Sequence, residues 1–448
     1  MESKFNRRAF LSTMAAIGAA GAAGGLRADE SAPASQAPEA KAEKETWAKA
    51  NGYGNFPAPV ASYPVLQNPR PHGMTVAWAV HPEDGKLASG WVEWGTTEKL
   101  GNSSRSATFG LNQLNANFLS AKMTGLKPST TYFYRTATCE ILFKDAYRIT
   151  SGDPIYSETY FFKTPGGKAS ETETSFVVIN DTHEVQPTLE ALANRITELN
   201  PARIVWNGDL LNSYNTPEQL LKSVFIPQFG PIAATRPLVF NNGNHDHRGI
   251  WAREKSVGLI PWGHEKSGFG DLGRNFVVRT GPLAIIGLDT GEDKPDANPV
   301  FAGLAQFEPY RERQRDWLAH ILKSKMVRTA PFVVAFCHIP LFDSNPNGNP
   351  GDILDGFASW QRPAAQMWGP LFDEAGVQLL VAAHEHAYRY DEPSPERTWA
   401  QLVGGGPELD KNTTIIYGRV EGGILRVVAE KVSDHSVLGT WEYGPRKI

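Results

Sequence analysis

The 448-residue chain has only two cysteines, Cys139 and Cys337. Their scarcity excludes a disulfide framework and any thiolate metal site. They lie in different predicted strands and read as small core residues, so nitrogen and oxygen must hold any metal bound here. Runs of lysine or arginine are also lacking. With 44 basic residues against 48 acidic ones the net charge is −4, which leaves no electrostatic footprint for nucleic acid. Long hydrophobic runs are missing as well. The most apolar stretch near the N-terminus ends at Leu26, is rich in alanine and glycine, and is shorter than the roughly 20 residues a membrane span needs. With 41% hydrophobic and 21% charged residues, the composition is that of a globular protein long enough for two domains after a leader.

What is present begins with Asn6-Arg7-Arg8-Ala9-Phe10-Leu11, followed by the alanine/glycine run and small-residue cleavage candidates around Ala28 and Ala34. This leader resembles a twin-arginine export signal, and it has no lipoprotein cysteine. The resemblance implies a signal over residues 1–34 and a protein exported, already folded, to the periplasm or beyond, with no stable span once the signal is removed. From Asp29 to about Ala50 the chain is Ala, Glu, Lys, Pro and Ser, too polar to bury a core. Residues 35–56 are therefore expected to be a flexible linker. A second break, TPGGKASETET (Thr164 to Thr174), is expected to be the hinge between two domains.

Between the breaks all signals are strand-like. Met74, Val76, Trp78 and Val80 alternate with small residues, GWVEWG follows a turn at Gly90, and TYFYRTATCEI alternates from Thr131 to Ile141. Short strands without an intervening helix predict an antiparallel sandwich over 57–166. LKPSTTYFYR resembles the tyrosine corner of immunoglobulin and fibronectin type III modules, with Tyr132 as candidate. Trp78, Trp91 and Trp94 suit core packing better than a carbohydrate platform.

After Thr174 strands alternate with helices. SFVVIN (175–180), ARIVWN (202–207), PLVFNN (237–242), LAIIGL (283–288), FVVAFC (332–337) and QLLVAA (378–383) are short, continuously apolar runs, as in strands buried on both faces. Leu189, Leu192, Ala193, Ile196 and Leu199 recur at helical spacing behind Thr188 as expected N-cap, and Trp317, Ile321 and Leu322 mark another helix. Residues 172–448 are thus expected to form an α/β domain.

Ligand-type residues follow five of these runs: Asp181 and His183, Asp209, Asn244 and His245, His338, and His384 and His386. They collect at carboxyl ends of strands, where α/β sheets place their binding crevice. Within Asp181/His183 and His384/His386 an extended backbone would send both side chains to one face. Gly208 and Gly243 permit tight turns and close approach. Seven side chains (Asp181, His183, Asp209, Asn244, His338, His384, His386) are too many for one tetrahedral ion and suit two ions sharing a carboxylate, with Asp209 the natural bridge. Mixed carboxylate, amide and imidazole ligands favour iron, manganese or zinc over calcium or magnesium. Two such ions about 3.5–4 Å apart serve phosphoester hydrolysis by attack of metal-bound hydroxide, with no serine or cysteine nucleophile.

The ordered series DTH, GDLLN, GNHD, CHIP and AHEH resembles the calcineurin-like metallophosphoesterases. LDT at Leu288, DWL at Asp316, HEHAYRY at His384 and the preceding sandwich are similar to the purple acid phosphatase branch. The resemblance implies a four-layer αββα catalytic sandwich behind a fibronectin-like domain, and an acid phosphatase-like hydrolase. It gives one metal Asp181, His183, Asp209 and His386, the other Asp209, Asn244, His338 and His384, and makes His245 the residue that contacts phosphate and helps protonate the leaving group. Three positions depart from the pattern. Asn212 stands where purple acid phosphatases have the tyrosine that colours their iron, and where other phosphoesterases have an aspartate that orients the histidine matching His245. His183 is a ligand those phosphatases usually lack, and Ala383 replaces a glycine.

The expected substrate is a small phosphomonoester. A phosphodiester or nucleotide on the same centre is the alternative, and a vestigial binding module is the alternative from another class. His247, Arg248, Trp251, Arg253 and His264 are further candidates to line the pocket, Asp246 is expected to hold the loop, and His320 reads as a surface residue. Phe342 to Pro363 reads as a long insertion, either a lid or a surface loop.

Overall fold

A computed structural model of the chain describes residues 45–167, 174–262, 269–342 and 357–447. The leader, His264 and most of the 342–363 insertion lie outside the described residues. Within the expected linker, Trp47–Ala50 forms a short helix. The Trp47 ring stacks on His81 at 4.2 Å and on Tyr53 at 5.3 Å, so the tether reading fails from Trp47 onward because these aromatics find partners.

The first domain is a two-sheet sandwich. One sheet contains Val65–Arg70, Gly73–Ala79 and Phe118–Thr124; the other is built on Leu87–Gly95 and Thr131–Asp145. Trp78, Trp94, Tyr134 and Phe162 pack between them, which fits the core reading of Trp78 and Trp94. Trp91 faces outward under the Arg105 guanidinium, 4.0 Å from the ring centroid. The Tyr132 hydroxyl accepts from the Lys127 N–H at 2.9 Å, the bond expected of a tyrosine corner.

The second domain contains β1 (Thr174–Ile179), β2 (Ile204–Asn207), β3 (Leu238–Asn241), β4 (Phe276–Thr280), β5 (Leu283–Leu288), β6 (Phe332–Cys337), β7 (Leu379–Ala382), β8 (Arg389–Asp391), β9 (Ala400–Val403), β10 (Thr414–Glu421), β11 (Ile424–Lys431) and β12 (Val437–Tyr443). Its main helices are α1 (Gln186–Leu199), α2 (Phe307–Leu322) and α3 (Phe357–Ala375). The strands make two sheets, β12-β11-β10-β1-β2-β3 and β4-β5-β6-β7-β9-β8.

Alternation along single strands explains the layers. In β1, Val177 and Ile179 point to the core under α1, while Phe176 and Val178 point to the core between the sheets. In β6, Val334 and Phe336 enter that middle core, and Val333, Ala335 and Cys337 meet the core that takes in Trp317 and Leu318 of α2 and Trp368 of α3. Each run is apolar throughout because both faces are covered. Two helix–sheet cores flanking one sheet–sheet core make the αββα sandwich.

Helix α1 begins at Gln186, with Val185 as N-cap and a proline in its first turn. Thr188 is therefore not the cap. Pro187 suits the first turn, and the Thr188 hydroxyl donates to the Pro407 carbonyl at 2.5 Å. The last residues of the insertion, from Phe357, already belong to α3. Both cysteines are free and buried, and His320 is exposed.

Candidate metal centre

The two sheets end side by side, and the site straddles them. Asp181, His183, Asp209 and Asn244 follow β1, β2 and β3 of one sheet; His338, His384 and His386 follow β6 and β7 of the other. Asn207 ties these ends together. Its amide donates to the carbonyls of Cys337 at 2.9 Å and Val381 at 3.3 Å, and its own carbonyl faces His338 Nδ1 at 2.8 Å. That contact leaves His338 Nε2 directed at Asp209 Oδ2, 3.2 Å away.

The backbone there differs from expectation. Asp181, His183, Asp209, His384 and His386 all have positive φ, between 45° and 71°. Left-handed backbone, not extended backbone, turns the paired side chains inward. Non-glycine residues rarely adopt it, and such strain gathers at functional sites. Ala383 keeps an ordinary φ, so the missing glycine costs nothing there. Gly208 has φ +88°, and a Cβ on it would stand 2.3 Å from the His338 ring. Gly243 serves close approach, since its Cβ would meet Asp209 Oδ1 at 2.3 Å.

The seven side chains converge. His183 Nε2 lies 3.1 Å from His386 Nε2 and 3.7 Å from Asp209 Oδ2. His386 Nε2 lies 3.3 Å from Asp181 Oδ1, an atom that is buried and makes no hydrogen bond. One end of the Asn244 amide sits 3.0 Å from His384 Nδ1 and 3.3 Å from both Asp209 Oδ2 and His338 Nε2. Nitrogen at that end satisfies the amide among protein groups alone; oxygen there is the orientation a shared cation selects. Groups drawn from Asp181, His183 and His386, and from Asp209, His338 and His384, offer donor atoms within 4.8 Å of one another. An orphaned buried carboxylate oxygen among imidazole nitrogens fits a nitrogen/oxygen-ligated transition metal.

The charge states of the two carboxylates and of His183 and His384 suit ligands. Burial alone would raise the Asp209 carboxyl, but the charges of His338, His245 and His183 outweigh it and hold the group well below the usual range. Asp181 is lowered in the same way, by His338 and His386 against burial. Burial, reinforced by His338, pushes His384 down to about 4, and burial also lowers His183. His338 runs the other way: Asp209 and Asp181 overcome its burial and raise it to about 10. Two buried carboxylates demand positive charge, and His338 supplies part of it.

Around this centre several sequence candidates find definite roles. His245 Nδ1 meets the main-chain carbonyl of Asn212 at 2.8 Å, so the backbone supplies the support that the residue 212 side chain was expected to withhold. Arg248 Nη1 donates to His245 Nε2 at 2.8 Å. Asp246 is fully buried and accepts from the N–H groups of Asp209 and Gly243 and from the Tyr214 hydroxyl. It holds two ligand loops in place, as expected. His247 turns away to Asp289 at 2.8 Å, Trp251 packs against Phe118 and Tyr214, and Arg253 lines a separate cavity.

Three supporting groups escaped sequence reasoning. Asn180 donates to Asp181 Oδ2 at 2.7 Å. Glu292 pairs with Arg248 through two bonds of 2.7 and 2.9 Å, and Asp293 adds a third contact. Only the LDT stretch just upstream hinted at this acidic turn.

Comparison with known proteins follows the same lines. Residues 174–388 match the calcineurin-like phosphoesterase family, and residues 59–164 match the purple acid phosphatase N-terminal domain. The chain is 25% identical over 317 residues to probable purple acid phosphatase 20 of Arabidopsis thaliana, which covers 69% of this chain and 61% of that protein. It thus spans about three fifths of the length of that relative. Among solved structures, purple acid phosphatase PPD1 from yellow lupin (Lupinus luteus) seeds superposes with a TM-score of 0.61 at 16% identity, covering 86% of this chain and 74% of that one. The structure of PhoD gives 0.57 at 12% identity, with 88% and 94% covered. At these identities the structures speak to the fold alone.

Proposed function

We propose that this chain, which carries a calcineurin-like phosphoesterase domain behind a purple acid phosphatase N-terminal domain, is an exported, dinuclear phosphomonoesterase. The observation that carries this reading is the convergence of seven nitrogen and oxygen donors from five strand ends, with His245 and Arg248 at their edge. In this reading Asp181, His183, Asp209 and His386 hold one ion; Asp209, Asn244, His338 and His384 hold the other. When bound, two transition-metal ions neutralise phosphoryl charge and acidify water at neutral pH.

The chain supplies the rest. Asp181 and Asp209 stay ionised, and His183 and His384 stay neutral, as ligands must. His338 and His386, in spite of their burial, are held toward the protonated form by Asp181 and Asp209, and would release those protons to a bound ion. The Asn212 carbonyl occupies His245 Nδ1, so Nε2, which accepts from Arg248 Nη1 here, is the ring atom that would turn from that bond to hold a proton toward a phosphoryl or leaving-group oxygen. Arg248, anchored by Glu292 and Asp293, presents a second donor at the same place. The iron-loaded protein should show no purple absorption band, because Asn212 replaces the coloured tyrosinate and Tyr214 is committed to Asp246.

Metal analysis combined with a panel of phosphomonoesters, phosphodiesters and nucleotides tests the proposal. Asp209→Asn should lose metal, whereas His245→Ala should keep metal and lose about 10²–10⁴-fold in rate. No bound transition metal and no hydrolysis after reconstitution with manganese, iron and zinc would sink the enzyme reading. A preference for diesters or nucleotides would overturn the monoester assignment alone. Export rests on Arg7-Arg8, and replacing both by lysine should leave the protein in the cytoplasm.

A further inference from the structure

Where β1, β2 and β3 begin, at the end of the sheet away from the metal centre, the two domains line an open cavity of about 660 Å³. Lys163 and Thr164 line it from the sandwich; Thr174, Arg203, Thr235 and Arg236 line it from the catalytic domain. No aspartate or glutamate lines it among the described residues. Arg203 is 5% exposed. Its Nη2 donates to the Thr174 hydroxyl at 3.1 Å, and its Nε and Nη1 have no hydrogen-bond partner. Arg236 finds only neutral acceptors, Asn200 Oδ1 at 2.5 Å and the Thr235 carbonyl at 3.4 Å.

A guanidinium keeps its charge at any physiological pH. Burying one without a counter-charge is among the costliest arrangements in a protein, and buried charges are as a rule paired. Burial lowers Arg203 to about 10 and also lowers Arg236. In neither case is an acidic neighbour among the causes. Among the described residues the cavity therefore gathers two guanidiniums and an ammonium around space that holds no negative group. Forked N–H donors match the acceptors of a tetrahedral oxyanion.

We propose that this cavity is an oxyanion site, taking a free dianion of the sulfate or phosphate class that bridges Arg203 and Arg236 and docks the sandwich onto the catalytic domain. The site stands apart from the metal centre, so the proposal holds whatever the enzyme's substrate.

Equilibrium dialysis of the metal-loaded protein against radiolabelled sulfate tests it, using wild type, Arg203→Met and Arg236→Gln. Wild type should bind one more sulfate per chain than either variant. Its melting temperature should rise by roughly 2 °C when sulfate reaches tenfold Kd, relative to chloride of equal ionic strength. That rise should be lost in both variants. Arg236 is only half-buried, so Arg236→Gln keeps the test open should Arg203→Met fail to fold. Equal sulfate counts in wild type and a folded variant would mean binding at the metal centre or an adventitious ion only, and would overturn the proposal. A melting shift reproduced by chloride would overturn it as well.

Discussion

At the scale of single residues, the support of His245 separates a side chain from a backbone. Its Nδ1 contact goes to the Asn212 carbonyl, which any residue provides, while the Asn212 amide makes only a long 3.4 Å bond to the His183 carbonyl. Asn212→Ala should therefore keep kcat within about threefold, against the about 10²–10⁴-fold loss for His245→Ala. A loss in Asn212→Ala as large as that in His245→Ala would show that the side chain matters. Lys255 gives a second residue-scale prediction. Its ammonium is 2% exposed, donates to Asn242 Oδ1 at 2.9 Å and to the Asp246 carbonyl, and so braces the loop carrying Asn244 and His245. Burial pushes it down to about 7, against partial support from Asp246. Between that value and its unfolded value of about 10.4, the unfolded chain holds a proton that the folded chain has released, so stability rises with pH. The penalty is fully present below about pH 7. The stability of wild type relative to Lys255→Met should thus climb from neutral to alkaline pH by at most about 1.4 kcal/mol per pH unit. Urea unfolding at several pH values measures this, and a flat difference would refute it.

At the scale of elements, the strands were legible because each is a short apolar run covered on both faces. All six expected runs are strands, and the residues that follow five of them meet. Less legible was the partition into two sheets, since a continuous apolar run looks the same whether its second face meets a helix or another sheet. The later strands β10, β11 and β12 also passed unread: β10 and β11 mix exposed and buried positions, and β12 contains no buried residue. The left-handed turns at five candidate ligands were invisible too. A His or Asp there carries no conformational label, whereas Gly208 does. What links the sheets at the site is Asn207, whose side chain bonds two carbonyls across them while its carbonyl faces His338. Asn207→Leu removes both cross-sheet bonds in a fully buried place. It should cost about 2–3 kcal/mol of stability, with metal affinity down about 10–100-fold. Denaturant unfolding and metal titration give the two readouts. A stability loss with unchanged metal affinity would mean that Asn207 tethers the sheets without orienting His338.

At the scale of the whole molecule, the sequence suggested two domains joined by a hinge, and the structure joins them through a sheet. Gln67 of the sandwich pairs in parallel with Leu238 of β3, so one nine-stranded sheet runs through both domains. Side chains extend the seam. Gln67 donates to the Gly258 carbonyl at 2.7 Å and accepts from the Ile260 N–H at 2.9 Å, Asn68 donates to the Ile260 carbonyl at 2.9 Å, and the buried Tyr134 hydroxyl donates to the Ala234 carbonyl at 2.7 Å. Phe118 of the sandwich belongs to the same apolar core as Trp206 and Leu220 of the catalytic domain. Residues 45–448 form one compact unit. Removing residues 57–166 would bare the edge of β3 and open that core, and an exposed apolar edge strand invites aggregation. A chain of residues 172–448 alone should therefore be insoluble or molten, and the intact protein should unfold in a single calorimetric transition. Two separate transitions, or a truncated chain that stays monomeric and active, would show instead that the sandwich is an accessory. In that event the continuous sheet would be a docking contact between independent domains, and the active-site loop resting on Gln67 and Asn68 through residues 258–260 would hold its shape without them.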